Sequence, residues 1–334
     1  MIHAKMIEGA SAFEELADQW NKVANSSITN TPFQNHAYQS NWWRHLQPES
    51  STLHTIAVYE NQDELIGIGC FYLLDGILHF NCCIEETDYL DIIASEAHAE
   101  IVWKTVFDCL CSPSSPQWTG LDLCNIPEAS PSRSLVKAES EKRGFLFSEE
   151  IIEVCPIIQL PDSFDGYLAQ IDSKQRREIK RKMRRATGSD AQMVMVGPED
   201  DIETAVSEFL DLLQKSTFEK RDWLNEGRSA LFYDTAKQAQ QDGTLQLMFM
   251  EVDGQKAAAL FNFDYNGRIW VYNSGLDPES FGHLSLGVVM TAKAIEWGAE
   301  NGRGEFDFLR GNETYKYRFG AEDTRIYRQT VTKA

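Results

Sequence analysis

The 334-residue chain holds no apolar run of about 18 residues, the length a membrane-spanning helix needs. Its first residues lack the charged-then-apolar pattern of a leader peptide, so no membrane insertion and no export are expected. Positive charge is scarce: 31 Lys and Arg stand against 51 Asp and Glu, a formal net charge of −20. That balance keeps a protein soluble and opposes general affinity for nucleic acid or anionic membrane. Cysteine is also limited. The seven cysteines are an odd number, confined to the stretch from Cys70 to Cys155 and set mostly in apolar runs. They read as reduced core thiols of a cytoplasmic protein rather than a disulfide framework. Cys109 and Cys111 are too close together, and too poorly supplied with partners, to make a zinc site, so no metal is expected.

What remains is an ordinary globular composition, 43% hydrophobic and 25% charged, in a chain long enough for two domains. Helical spacing of Phe13, Leu16, Trp20 and Val23 predicts a first helix over 12–24, with Ser11 as its cap. A second, aromatic-rich helix spans 35–46, and strands follow at 53–59, 64–73 and 77–83. A helix over 96–109 and a strand over 120–124 complete a mixed unit; 125–134 reads as a loop. The second half repeats the plan. Helices are predicted over 164–186, 202–214 and 229–240, then strands over 244–252, 256–265 and 268–274. Asp253-Gly254 and Asn266-Gly267 are strong hairpin signals, because both turn positions need positive φ. A helix over 285–300, a strand over 305–309 and a last strand over 325–331 close the chain. The expectation is two similar domains, 1–155 and 156–334.

The densest chemistry lies in EFDFLRGNETYKYRFGA, residues 305–321. A short strand there breaks at Arg310-Gly311 into a loop bearing Glu313, Tyr315, Lys316, Tyr317 and Arg318. Ends of strands are where α/β sheets place ligands. Asp307 alternates with Phe306 and Phe308 and so faces away from both rings. Burial there would raise its pKa and suit it to a general base, although a structural carboxylate bonded to backbone or arginine fits the pattern equally.

A second cluster is cationic. Between Lys174 and Arg185 lie eight of the chain's 31 basic residues and one acid, Glu178. Leu168, Ile171, Ile179, Met183 and Ala186 keep helical spacing, so an apolar stripe docks this helix while its arginines fan outward. A solvated face and a phosphate-binding face both satisfy that pattern.

Four stretches together resemble the GNAT acyltransferase superfamily, in particular its CelD-like branch related to the FemAB peptidyl transferases. They are FQNHAYQSNWWRHL (33–46), TDYLDII (87–93), IDSKQRREIKRKMRRA (171–186) and FDFLRGNETYKYRFGA (306–321). The resemblance implies an α/β protein of tandem GNAT-like folds, each a mixed, mostly antiparallel sheet flanked by helices. It implies transfer of an acyl group, acetyl first among them, from acyl-CoA to an amine or hydroxyl. A small-molecule or cell-envelope polysaccharide acceptor is expected.

In such folds the donor's pyrophosphate rests on backbone N–H groups at a helix N-terminus. The matching loop here is 280–287, with Gly282, Ser285 and Gly287 as its cofactor-binding candidates, although the superfamily's Gln/Arg-x-x-Gly-x-Gly/Ala pattern is absent. The resemblance also makes Lys316 a candidate beside the oxyanion or a phosphate. Tyr272, on the predicted strand 268–274, becomes a candidate proton donor to the leaving thiolate, or else core packing. Arg177 and Arg181 join the donor-binding set. Trp223, Tyr315 and Arg310 line the expected acceptor pocket, with Tyr89 and Asp91 from the first half. Two alternatives stay open: a FemAB-like transferase using aminoacyl-tRNA, and a non-catalytic binding module of the same fold.

Overall fold

The computed structural model describes residues 1–83 and 86–333. It falls into two units, 1–153 with 324–334, and 154–323. The last residues therefore group with the first unit, where the sequence had suggested a simple division at 155.

The first unit begins with β1 (Ile2–Glu8), α1 (Ser11–Asn25) and α2 (His36–Leu46). Ser11 is already helical and makes no cap; Ala10 holds that position. The meander β2 (Thr52–Glu60), β3 (Glu64–Leu74) and β4 (Ile77–Phe80) follows, then the two-residue β5 (Ile93–Ala94) against β3. After α3 (Ala99–Leu110), β6 (Gly120–Pro127) lies parallel to β4. Of the segment expected as a loop, only 128–131 form a turn; it is flanked by the end of β6 and the start of α4 (Ser132–Lys142). The chain enters the second unit within β7 (Leu146–Gln159).

The second unit repeats the scheme. The predicted helix 164–186 is two helices, α5 (Phe164–Gln170) and α6 (Ser173–Thr187), because Ile171 turns extended and the Asp172 carboxylate caps Lys174 and Gln175. Then come β8 (Gln192–Met195), α7 (Ile202–Ser216), α8 (Phe218–Trp223) and α9 (Glu226–Gln241). The meander β9 (Leu245–Val252), β10 (Gln255–Tyr265) and β11 (Arg268–Leu276) turns at Asp253-Gly254 and Asn266-Gly267. All four turn residues have positive φ, as those dipeptides require. After α10 (Pro278–Phe281) and α11 (Leu286–Glu300), β12 (Glu305–Asp307) lies parallel to β11 and antiparallel to β7. The expected loop beyond it contains a short helix, α12 (Thr314–Arg318). The final β13 (Glu322–Thr332) pairs antiparallel with β6.

Among the described residues each unit is thus mostly antiparallel, with one parallel pair in each, β4 with β6 and β11 with β12. In the second unit α5, α6 and α11 bury one apolar cluster against the sheet, including Tyr167, Ile179, Met290, Ile295, Phe306 and Phe308. In the first, Cys83 and Cys124 are joined as a disulfide with Cα atoms 5.9 Å apart. This corrects the expectation that all the cysteines are reduced. Parallel β4 and β6 bring together positions 41 residues apart, which spacing alone does not reveal. Cys70, Cys82 and Cys155 are buried thiols outside the disulfide.

Candidate functional site

β11 and β12 pair only over Arg268–Trp270 and Glu305–Asp307. β12 ends there and the chain turns away at Leu309, whose φ of 57° is left-handed, while β11 continues to Leu276. Opposite the gap, a register shift pairs Phe261 with Asn273 and Asn262 with Val271, leaving Tyr272 as the extra residue of a bulge. Bulges re-aim side chains and collect near active sites. Asp277 donates its N–H to Ala257, so alternation turns the backbone groups of Ser274 and Leu276 towards the open side. Side chains occupy them. Asn273 Oδ1 accepts the Ser274 N–H (2.9 Å) and Ser216 Oγ the Leu276 N–H (2.6 Å). Lys220 Nζ donates to the Ser274 carbonyl (2.6 Å), Ser274 Oγ (3.2 Å) and Asn273 Oδ1 (3.0 Å).

At the far end of this edge, where β11 leads towards α11, lies a cavity of about 310 Å³. Leu276, Asp277, Gly282, Ser285, Gly287 and Lys182 are among its walls. The sequence reading of this loop is therefore placed in one spot: all three of its candidates line the cavity. Ser285, however, is not a side-chain cap. Its φ of 57° puts it in the left-handed region and its hydroxyl bonds no backbone N–H of the helix. Its carbonyl accepts the N–H groups of Val288 and Val289, while those of Leu286 and Gly287 precede the helical ladder. The basic helix reaches this loop through Lys182, on the cavity wall, and through Arg185, whose Nη1 donates to the His283 carbonyl at 3.1 Å. Arg177 and Arg181 are exposed and outside this lining; Arg181 forks onto Glu178 at 2.9 and 2.7 Å and holds that carboxyl down at about 2. Of this helix, Lys182 and Arg185 rather than Arg177 and Arg181 reach the loop. Only the docked orientation shows which cations turn inward.

Beyond β12 the expected catalytic pair is buried. Asp307 is 0% exposed and its Oδ1 accepts the Leu309 N–H at 2.7 Å, bracing the strand's exit turn. Phe306 and Phe308 meet edge to face at 5.1 Å. Lys316 is 2% exposed, and its ammonium donates to the carbonyls of Leu309 (3.2 Å), Arg310 (2.6 Å) and Gly311 (3.0 Å). Glu313 Oε2 completes the cage at 2.9 Å. Three donors on three carbonyls make Lys316 the organiser of this loop. Tyr315 stacks edge-on against Phe308 at 5.9 Å, and desolvation, then the Glu313 charge, raises its hydroxyl.

Lys220 is the residue sequence reasoning missed. It sits in FEKRDWLN among three other charged residues, where nothing distinguishes it. Burial drives its pKa down to about 8, with Glu313 opposing. Three residues on, Trp223 packs edge-on against Phe232 at 6.3 Å, and Tyr272 lies 5.4 Å from the same ring. Trp223 and Tyr272 thus share an aromatic nest completed by Phe261 and Phe263.

Tyr89 and Asp91 belong to the first unit and are buried there, at 5% and 4% exposure. The Asp91 carboxylate accepts from Thr29 Oγ1 (2.8 Å), Ser130 Oγ (2.5 Å), Ser132 Oγ (2.5 Å) and the Ile92 N–H (2.7 Å). Burial raises its pKa, and those four hydrogen bonds lower it. Its acceptor capacity is spent inside the unit.

Residues 173–317 match a family model described as an acetyltransferase (GNAT) domain. This chain carries a GNAT domain. The match begins at α6 and ends within α12, so it takes in the basic helix, the cavity loop, the split strands and the caged lysine. The whole chain has the fold of a crystal structure titled FemX (TM-score 0.67, 10% identity), covering 93% of this chain and 95% of that one. It is similar to the C-terminal domain of a protein designated a lysylphosphatidylglycerol synthetase, from Agrobacterium fabrum. There the TM-score is 0.61 at 8% identity, over 96% and 92% of the two chains. A tandem GNAT protein from the clavulanic acid biosynthesis pathway matches at TM-score 0.52 and 13% identity, over 99% of both chains. At these identities the likeness is one of fold, a tandem of GNAT-like units. No curated protein sequence matches the chain significantly. No helix among the described residues is long and apolar enough to cross a membrane.

Proposed function

We propose that the protein is an acyltransferase whose second unit moves an acyl group, acetyl first among candidates, from acyl-CoA to an amine or hydroxyl. The acceptor would be a small molecule or a cell-envelope saccharide, attacking the thioester directly in the cytoplasm. One observation carries this reading: the edge of β11, opened where β12 ends, leads to the cavity at the start of α11. A strand edge suits the amide-bearing arm of CoA. First-turn N–H groups of a helix, with Lys182 beside them, suit its phosphates. Tyr272, at the bulge, is the candidate for proton transfer near the reacting carbonyl. Asp307 and Lys316 act on the reaction by fixing the loop from Leu309 to Gly311. Trp223, Tyr315 and Arg310 are assigned to the acceptor side. Equilibrium dialysis with radiolabelled acetyl-CoA, followed by thiol release with a panel of amines and sugars, tests the reading; neither binding nor release would sink it.

A second reading, an aminoacyl-tRNA donor, is favoured by one feature, the outward cations of α6. Lys174, Arg177, Lys180, Arg181 and Arg184 are all exposed. The fold shared with a lysylphosphatidylglycerol synthetase domain, whose name denotes an aminoacyl product, points the same way. Binding of charged tRNA that weakens steeply with salt, without binding of CoA, would reverse the ranking.

A further inference from the structure

Lys220 is the one ammonium hydrogen-bonded to the open edge of β11 among the described residues. Thr217 caps the short helix that carries it, accepting the Lys220 N–H at 3.2 Å, so the residue's backbone is fixed. All three of its donors face acceptors on Asn273 and Ser274, directly beside the bulge at Tyr272. An arm entering from the cavity passes Leu276 and reaches Ser274 two residues later, about 7 Å along a strand. Lys220 is therefore met where the arm's reacting end approaches the bulge.

We propose that Lys220 is a catalytic residue of the acyl transfer, the proton donor to the sulfur that leaves the acyl carbon. The proposal rests on the acyl-CoA reading above. The acceptor's lone pair forms the new bond to the acyl carbon and the C–S bond breaks. The departing sulfur takes a proton from the Lys220 ammonium. The proton lost by the acceptor goes to water, from which Lys220 is recharged, so that acyl-CoA and the acceptor become the acylated product and free CoA thiol.

The electrostatic surroundings fit this task. Glu313, on the loop after β12, is the charged group whose field reaches Lys220. β11 offers it only the uncharged Asn273 and Ser274, and Lys215 at the end of α7 is paired with Asp277 at 3.7 Å. On α8 itself Glu219 and Arg221 are exposed. A lysine brought down to about 8 is matched to a thiol of pKa about 8.5, which makes proton exchange between them nearly even.

The test uses CoA itself on the full chain, reading the ultraviolet absorbance of the bound thiolate against pH in wild type, Lys220→Met and Lys220→Arg. A nearby cation lowers the thiol's pKa, by about one unit or more. That lowering is expected in wild type and Lys220→Arg, with the free-CoA value in Lys220→Met. With an acceptor found by thiol release, Lys220→Met should lose about 100-fold in transfer from acetyl-CoA and recover with an aryl thioester, whose thiol leaves unprotonated. If CoA binds and its thiol titrates identically in all three proteins, Lys220 is not at the sulfur, and the acyl-CoA reading stands without it. If wild type does not bind CoA, both fall.

Discussion

The ammonium of Lys316 lies 2.6 Å from the backbone carbonyl of Arg310, inside a cage that also takes in the carbonyls of Leu309 and Gly311. A side chain so fully engaged holds a loop rather than waiting for substrate. Lys316→Met leaves three carbonyls and the Glu313 carboxylate without their donor, and is expected to cost about 3 kcal/mol of stability. Urea denaturation measures that loss. A fully stable Lys316→Met protein with no transfer activity would instead return Lys316 to the oxyanion role.

Asp91 gathers four hydrogen bonds inside the first unit. Asp91→Ala strands three hydroxyls and an N–H, with an expected loss of about 2–4 kcal/mol. Asp91→Asn keeps an acceptor and should lose less. Thermal denaturation of the two variants checks the order, and equal stability of Asp91→Ala and wild type would refute it.

Gly275 is where α7 presses onto β11. A Cβ there would stand 2.7 Å from Leu212 Cβ and 2.8 Å from the backbone of Leu212 and Leu213. Since backbone cannot swing aside, Gly275→Ala must push the helix off the strand. A destabilisation of about 1–3 kcal/mol is expected. Ser216 should be carried off Leu276, which amide exchange at Leu276 would register.

Ser285 occupies left-handed space at φ 57° without a side-chain bond to the helix start. Ser285→Gly should therefore stabilise the protein by a few tenths to about 1 kcal/mol and leave CoA binding intact, since in the proposed acyl-CoA reading the backbone would supply the phosphate contacts. Lys182→Glu should weaken CoA binding several-fold without altering the melting temperature by more than a few degrees. Calorimetric titration of both variants tests the division of labour.

Lys220 also links stability to pH. Its folded pKa, about 8, lies below the ordinary lysine value, so the unfolded chain binds the proton more tightly. The charged form's burial penalty is fully present below pH about 8 and disappears as pH rises to about 10.5, so this group's contribution to stability rises across that window. Allowing for partial exposure, the gain is about 1–2 kcal/mol. Wild type minus Lys220→Met, followed by denaturant titration at several pH values, isolates it. A difference that is flat with pH would contradict the depressed pKa.

Much of this was written in local sequence. The turns at Asp253-Gly254 and Asn266-Gly267, the meander between them, the basic amphipathic helix and the start of the strand at Phe306 follow from φ preferences and side-chain periodicity. Those depend on a few neighbouring residues, so a sequence states them directly. The glycines and serine of 280–287 were legible for the same reason. Tertiary structure decided the rest, because it depends on contacts between distant positions. Packing chose Lys182 and Arg185 over Arg177 and Arg181, and buried Asp91 among hydroxyls from two segments. Strand order joined Cys83 to Cys124 and gave β13 to the first unit. Most of all, the early end of β12 turned Ser274 into an open edge and drew Lys220, fifty-odd residues earlier, onto it. Burial against those groups, which no local pattern encodes, is what marks Lys220 out.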